Sequence, residues 1–153
     1  MRKFIYFIVV VLTIHISGLP CRAADLFKQY EKVILIDQIR QIGKAYEDGK
    51  EVCEFPVITG DDETPTPPGI YIVQKKDADY FSHTYQTPMP YSIFFDFKGK
   101  RAIHEGEVPP PSLRKDLATH GCIHVEEPYI EWLYNWAVVG KTAVIIYGWR
   151  TGD

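Results

Sequence analysis

Cys122 lies in the run Thr119-His120-Gly121-Cys122-Ile123-His124, and a further imidazole, His104, stands before Thr119 with fourteen residues between them. A cysteine with imidazoles on both sides has the composition of a nucleophile and its base. The thiolate is the attacking species, and a thiol of pKa ~8.5 is only a few per cent ionised at neutral pH. Lowering that pKa by two units takes ~2.7 kcal/mol of preferential stabilisation of the anion, which an adjacent imidazolium is suited to supply. Gly121 lets the backbone approach a reacting carbonyl, and amide N–H groups in a tight turn around the sulfur would hold an oxyanion. Acyl transfer through a thioester is the chemistry this pattern suits. Two plainer alternatives stand beside it: a buried structural cysteine, and zinc on His120, Cys122 and His124. Those three are expected to stagger along an extended segment, and a fourth ligand is not evident, so no metal is expected.

Several elements must position these groups. Val33–Asp37, Gln41–Tyr46 and Val52–Thr59 read as strands of a meander, with Asp48-Gly49 as a hairpin turn. Gly60–Gly69, with its prolines, is a surface loop, and Ile70–Gln74 is the next strand. Lys75–Pro90 reads as a long polar and aromatic loop, a lid or binding wall carrying Tyr80, Phe81, His83 and Tyr85, of which His83 reads as a surface residue. Tyr91–Phe97 and Arg101–His104 are strongly β-forming, which places His104 at a strand end on a rigid support. Glu105–Ala118 is a loop stiffened by Pro109-Pro110-Pro111. Ile130, Leu133, Tyr134 and Ala137 recur at helical spacing, predicting one helix from Pro128 to about Val138, with Trp132 and Trp136 covering core or surface. Lys141–Tyr147 is a closing buried-type strand. One β-dominated domain with a single helix in its C-terminal half follows.

The chain has 153 residues, 46% hydrophobic and 14% aromatic, enough for one packed domain. Met1–Ala23 has the form of a secretory signal: Arg2-Lys3, an apolar Phe4–Ile16, and a small-x-small site at Cys21-Arg22-Ala23. Its apolar run is short of the ~20 residues a bilayer helix needs, so no membrane anchor is expected after cleavage. Pro20 stands where lipidation of Cys21 would want a small residue, which favours cleavage. The remainder, 24–153, is the expected mature domain. It keeps 14 of the 17 basic residues against 20 acidic ones, a net charge of about −6, which argues against a nucleic-acid partner. Cys53 and Cys122 remain; a disulfide between them would consume the proposed nucleophile, so Cys53 is expected in the core.

The stretch His104…Thr119-His120-Gly121-Cys122 resembles the signature of the L,D-transpeptidase catalytic domain, a histidine followed at similar distance by Ser/Thr-His-Gly-Cys. Thr64-Pro65-Thr66-Pro67-Pro68-Gly69-Ile70-Tyr71 resembles the family's Thr-Pro-x-Gly segment, and Met89–Phe95 with Ala102–His104 resembles the strands that deliver its histidine. The match runs over roughly Lys32–Gly148. The resemblance implies a β-sandwich-type domain with the Thr-Pro loop near the catalytic site. It implies Cys122 as nucleophile, His104 as general base, His120 shaping the pocket, Gly121 and Cys122 amides for the oxyanion, and Thr119 supporting the turn. It implies peptidoglycan stem peptides as substrates, acylation by carbapenems, no cofactor, and a periplasmic or envelope location. Hydrolytic variants (an L,D-carboxypeptidase, or a cross-link or wall-protein hydrolase) and a catalytically silent wall-binding domain are the alternatives on this fold. Two departures bear on substrate binding: His124 stands where many members have arginine, and Glu105 follows the base where the family often has glycine.

Overall fold

The computed structural model describes residues 29–98, 100–113 and 117–150. The expected signal, Met1–Ala23, lies outside the described residues. Among the described residues nine strands and one helix follow in order: β1 (Lys32–Asp37), β2 (Ile42–Glu47), β3 (Lys50–Pro56), β4 (Gly69–Ile72), β5 (Lys75–Ser82), β6 (Thr87–Asp96), β7 (Arg101–Glu105), β8 (Ile123–Val125), α1 (Tyr129–Trp136) and β9 (Ala143–Tyr147). They build a five-stranded sheet in the order β3-β2-β1-β9-β4 and a four-stranded sheet in the order β5-β6-β7-β8.

Local sequence explains the first sheet. Asp48 and Gly49 take φ of 50° and 75°, the left-handed pair that a two-residue hairpin requires, and Glu47 pairs with Lys50 across it. β1 is central, antiparallel to β2 and parallel to β9. A central strand is covered on both faces, which is why Val33-Ile34-Leu35-Ile36 is apolar without alternation. Ile34 and Ile36 enter the main core with Val144 and Ile146, whereas Val33 and Ile145 join a second cluster with Leu35 and Ile72.

The main core lies between the sheets. It takes Phe55, Val57, Ile93, Phe95, Ile103, Ile123 and Val125, closed by Ile130, Leu133 and Ala137 of the helical region. α1 has no basic residue in its last turn. Lysines from elsewhere serve instead: Lys76 donates to the Ala137 carbonyl at 2.8 Å and Lys32 to the Trp136 carbonyl at 3.1 Å, where positive charge suits a helix C-terminus. Trp132 and Trp136 stack on each other at 5.4 Å, and the Trp136 indole donates to Glu47.

Four expectations change. Lys75–Pro90 is not a loop but most of the β5–β6 hairpin, with Lys76 paired to Ile93 and Ser82 to Thr87. Its alternation of polar and aromatic residues is that of a strand with one face over a cleft. The third strand ends at Pro56 rather than Thr59, and Ile58 bridges instead to His124. The helix ends at Trp136, since Ala137 is already extended with ψ of 141°. Cys53 is half-buried at the edge of the core rather than within it.

Candidate active site

β7 and β8 run parallel, with Ile103 opposite Ile123, His104 opposite His124 and Glu105 opposite Val125. Side chains alternate along strands, and opposed residues share a face. Ile103 and Ile123 enter the core, so Ala102, His104, Cys122 and His124 are turned the other way. Cys122 and His124, two residues apart, therefore share a face rather than staggering. Among the described residues no group of His, Cys, Asp and Glu is arranged to hold a metal ion.

Cys122 and His104 line one open cleft of about 400 Å³, together with Tyr85, Met89, His120 and His124. Cys122 also lines a second cleft of about 360 Å³, walled by Tyr80, Tyr85, Met89 and Phe94 of the β5–β6 hairpin. The sulfur thus stands where two clefts meet, and the expected aromatic wall is present as strands. His83 is exposed and forms part of that second wall. His120 is exposed, packs on Tyr85 at 5.0 Å and lines the same cleft as His104 and the half-buried His124.

The turn before the sulfur is clamped from two sides. Within it, Thr119 Oγ1 donates to the Cys122 carbonyl and accepts the Gly121 N–H at 3.1 Å. Gly121 takes φ of +93°, and a Cβ there would lie 3.0 Å from both Arg101 Nε and the Pro65 carbonyl, so only glycine fits without strain. From outside, Thr64 Oγ1 donates to the Thr119 carbonyl at 2.7 Å. Thr66 Oγ1 accepts Gly60 N–H and donates to the Gly121 carbonyl, both at 3.0 Å. Arg101, paired to Asp96 at 2.9 Å, donates to the Pro65 carbonyl. Thr64, Thr66 and Arg101 were not singled out as site residues from sequence, because their partners are carbonyls more than thirty positions away. The Gly121 amide is consumed inside the turn, which leaves the Cys122 amide from the pair expected at an oxyanion.

Electrostatics differ from the sequence expectation. His104 is 6% exposed, and its Nδ1 lies 2.6 Å from the Glu105 carbonyl, so Nδ1 carries the proton and Nε2 is the acceptor. Burial, with a smaller contribution from His124, lowers its pKa to about 4. Burial pushes the Cys122 thiol up, opposed by its hydrogen bond to the Ala102 backbone and by the charge of Arg101. Burial thus shifts both groups toward their neutral forms, against the imidazolium that the sequence suggested.

His124 is not a cationic stand-in for arginine. Burial holds its pKa below the usual histidine value, with His120 adding to the shift and a hydrogen bond to the Glu107 backbone opposing it. Its ring meets that of His104 edge-on at 4.7 Å and lies under Gly106, where a Cβ would come within 2.5 Å of it.

The profile of the L,D-transpeptidase catalytic domain (YkuD) matches residues 31–146. The chain belongs to the L,D-transpeptidase catalytic-domain family. Solved structures agree. An L,D-transpeptidase from Stackebrandtia nassauensis superposes with a TM-score of 0.72 at 23% identity, covering 82% of this chain and 59% of that one. One from Enterococcus faecium gives 0.67 at 27% identity, covering 76% and 50%. The structure of the Ldtfm-avibactam carbamoyl enzyme gives 0.68 at 28%, covering 77% and 49%. This L,D-transpeptidase domain therefore spans between half and three-fifths of the length of these relatives. Comparison with curated proteins finds no match.

Two outcomes test the site. Thr66 is 1% exposed, and Thr66→Val would leave the Gly60 N–H and Gly121 carbonyl without their partner. An expected loss of about 1–3 kcal/mol in urea denaturation, with slower thiol acylation, follows from burying unsatisfied groups beside the sulfur. Because the folded-state pKa of His104 lies below its unfolded value, the neutral ring contributes stability above pH ~6.5 that is lost as pH falls toward about 4. Between pH ~7.5 and ~5 the wild type is expected to lose about 2 kcal/mol more stability than His104→Gln. Equal losses would remove the buried neutral imidazole.

Proposed function

We propose that this chain is an exported cysteine acyltransferase that acts on peptidoglycan stem peptides, with Cys122 as nucleophile and His104 as base. The observation that carries the reading is the Cys122 thiol and the buried His104 ring in one open cleft, within a family of L,D-transpeptidases. His104 Nδ1–H is held by the Glu105 carbonyl, so Nε2 takes the thiol proton as sulfur attacks the carbonyl that precedes a terminal D-residue. The C–S bond forms, negative charge develops on the carbonyl oxygen, and the Cys122 amide stabilises it. His104 returns the proton to the departing amine, leaving a thioester. An amine of a neighbouring stem then forms the new amide bond and frees the sulfur.

Further roles belong to this reading. Thr119 and Gly121 hold the turn, His120 and Tyr85 shape the cleft mouth, and His124 and Glu105 shape the substrate wall. Neutral reactants suit a buried site, because an ion pair there would carry a desolvation cost before substrate arrives. The carbamoyl enzyme formed with avibactam by the Ldtfm relative supports acylation of this sulfur by β-lactams and related ring-opening inhibitors. Met1–Ala23 directs the chain to the envelope, where the substrate is.

Incubation with a carbapenem is expected to raise the intact mass by one inhibitor in wild type and by nothing in Cys122→Ala. With tetrapeptide stems the wild type is expected to yield cross-linked dimers; free shortened stems alone would instead mark a hydrolase, and an unmodified protein would end the acyltransferase reading. Fractionation of the producing cell should find the chain in the envelope beginning at Ala24. A cytoplasmic chain that retains Met1 would contradict export.

A further inference from the structure

Two imidazoles in the cleft beside Cys122 are held in the same way. His104 donates Nδ1–H to the Glu105 carbonyl at 2.6 Å, and its Nε2 is left as an acceptor. The edge of the His124 ring that carries Nδ1 faces Gly106, where a Cβ would stand 2.6 Å from that nitrogen, and the ring is hydrogen-bonded to the Glu107 backbone. Nδ1 is therefore the donor of that bond, and Nε2 is again the acceptor. No buried side-chain nitrogen among the described residues lacks a partner, so both Nε2 atoms open on the cleft and not into the core.

β8 is only three residues long, yet His124 is fixed from both sides. It stands opposite His104 in the parallel β7–β8 ladder, and it exchanges two backbone hydrogen bonds with Ile58, at 2.9 and 3.2 Å. The two rings meet edge-on with centroids 4.7 Å apart. Support of this kind holds a side chain closely enough to meet a reacting atom. No lysine or arginine lines the cleft, and its third imidazole, His120, is exposed and packs on Tyr85.

Proton counting gives the second ring a task. A primary amine of pKa ~10.4 arrives at neutral pH as an ammonium. On becoming an amide nitrogen it gives up two protons, of which the sulfur takes back one. A single imidazole acceptor holds one of them at a time. Burial shifts His124 toward its neutral form, which leaves the Nε2 lone pair available and makes its imidazolium quick to pass a proton on.

We propose that His124 is a second catalytic base, which takes a proton from the primary amine of the incoming stem peptide while His104 serves the sulfur. This rests on the acyl-transfer reading above. His124 Nε2 accepts one proton from the ammonium and releases it to solvent at the cleft mouth. The neutral amine nitrogen attacks the thioester carbonyl, the C–N bond forms and the C–S bond breaks. The second amine proton passes through His104 Nε2 to the sulfur, which restores the thiol. An arginine at this position, always protonated, could accept nothing. The titratable groups that face His124 are His104 from β7, Cys122 and His120 from the turn, Glu105 and Glu107 from the end of β7 and the segment after it, and Tyr85 from the β5–β6 hairpin. Ile58, on its other side, brings none.

The test uses the full chain, a tetrapeptide stem as donor and a stem acceptor bearing one free side-chain amine. Rapid-quench intact mass follows formation of the acyl-enzyme and then its decay once acceptor is added, across the pH range in which imidazoles titrate. H124N keeps an N–H for the Glu107 backbone and H124Q keeps the reach of the ring; neither has a basic nitrogen. In both, decay is expected to slow about tenfold more than formation, and its acid limb to lose one ionisation. Equal slowing of the two phases, or an unchanged acid limb, overturns the second base and leaves His124 a packing residue. Decay at the wild-type rate in both variants overturns it too, with acyl transfer intact. A wild type that forms no acyl-enzyme removes the acyl-transfer reading and the second base with it.

Discussion

The parallel pairing of β7 with β8 is the constraint on which the rest depends. Registering Ile103 against Ile123 sends two isoleucines into the core and, by strand alternation, turns Cys122, His104 and His124 outward together. A slip of one residue would turn the imidazoles into the apolar core and the isoleucines out of it, which the core's free energy forbids. Hydrophobic packing thus fixes the register that brings these three side chains together. The threonine clamp around Gly121 then fixes the turn that leads into it, using hydroxyls that satisfy buried carbonyls and amides at once.

Burial shifts both groups the same way. Cys122 is only 9% exposed and His104 only 6%, which disfavours isolated charge on either side chain, and both are shifted toward their neutral forms. Sequence adjacency of cysteine and histidine suggests a resting ion pair, as in many thiol enzymes. Desolvation reverses that inference here. The single Nδ1 bond to the Glu105 carbonyl then matters more than any charge, because it fixes which nitrogen is free to accept a proton.

The same burial changes what His124 means. Read as a letter in place of arginine, it is a lost cation. Seen in place, it is a packed ring beneath Gly106, hydrogen-bonded to the Glu107 backbone. Glu105, the other departure, contributes its backbone carbonyl to His104 and lines the cleft beside it.

The sequence by itself determined the family, the hairpin at Asp48-Gly49, the mainly β class with the helix after Pro128, and the residues that meet in the cleft, because these rest on local turn chemistry, on hydrophobic pattern and on motifs that survive in order along the chain. It missed β8 and misread Lys75–Pro90 as a loop, since a three-residue strand has no period of its own and a polar strand over a cleft lacks a buried stripe. It also left Thr64, Thr66 and Arg101 unmarked, because each acts on a backbone carbonyl distant in the chain and generic in type. Only the tertiary structure decided the meeting of two clefts at Cys122, the direction in which burial shifts the thiol and the His104 imidazole, and the packed position of the His124 ring. Each of those follows from how much water and which neighbours surround a side chain, and a one-dimensional sequence does not carry that information.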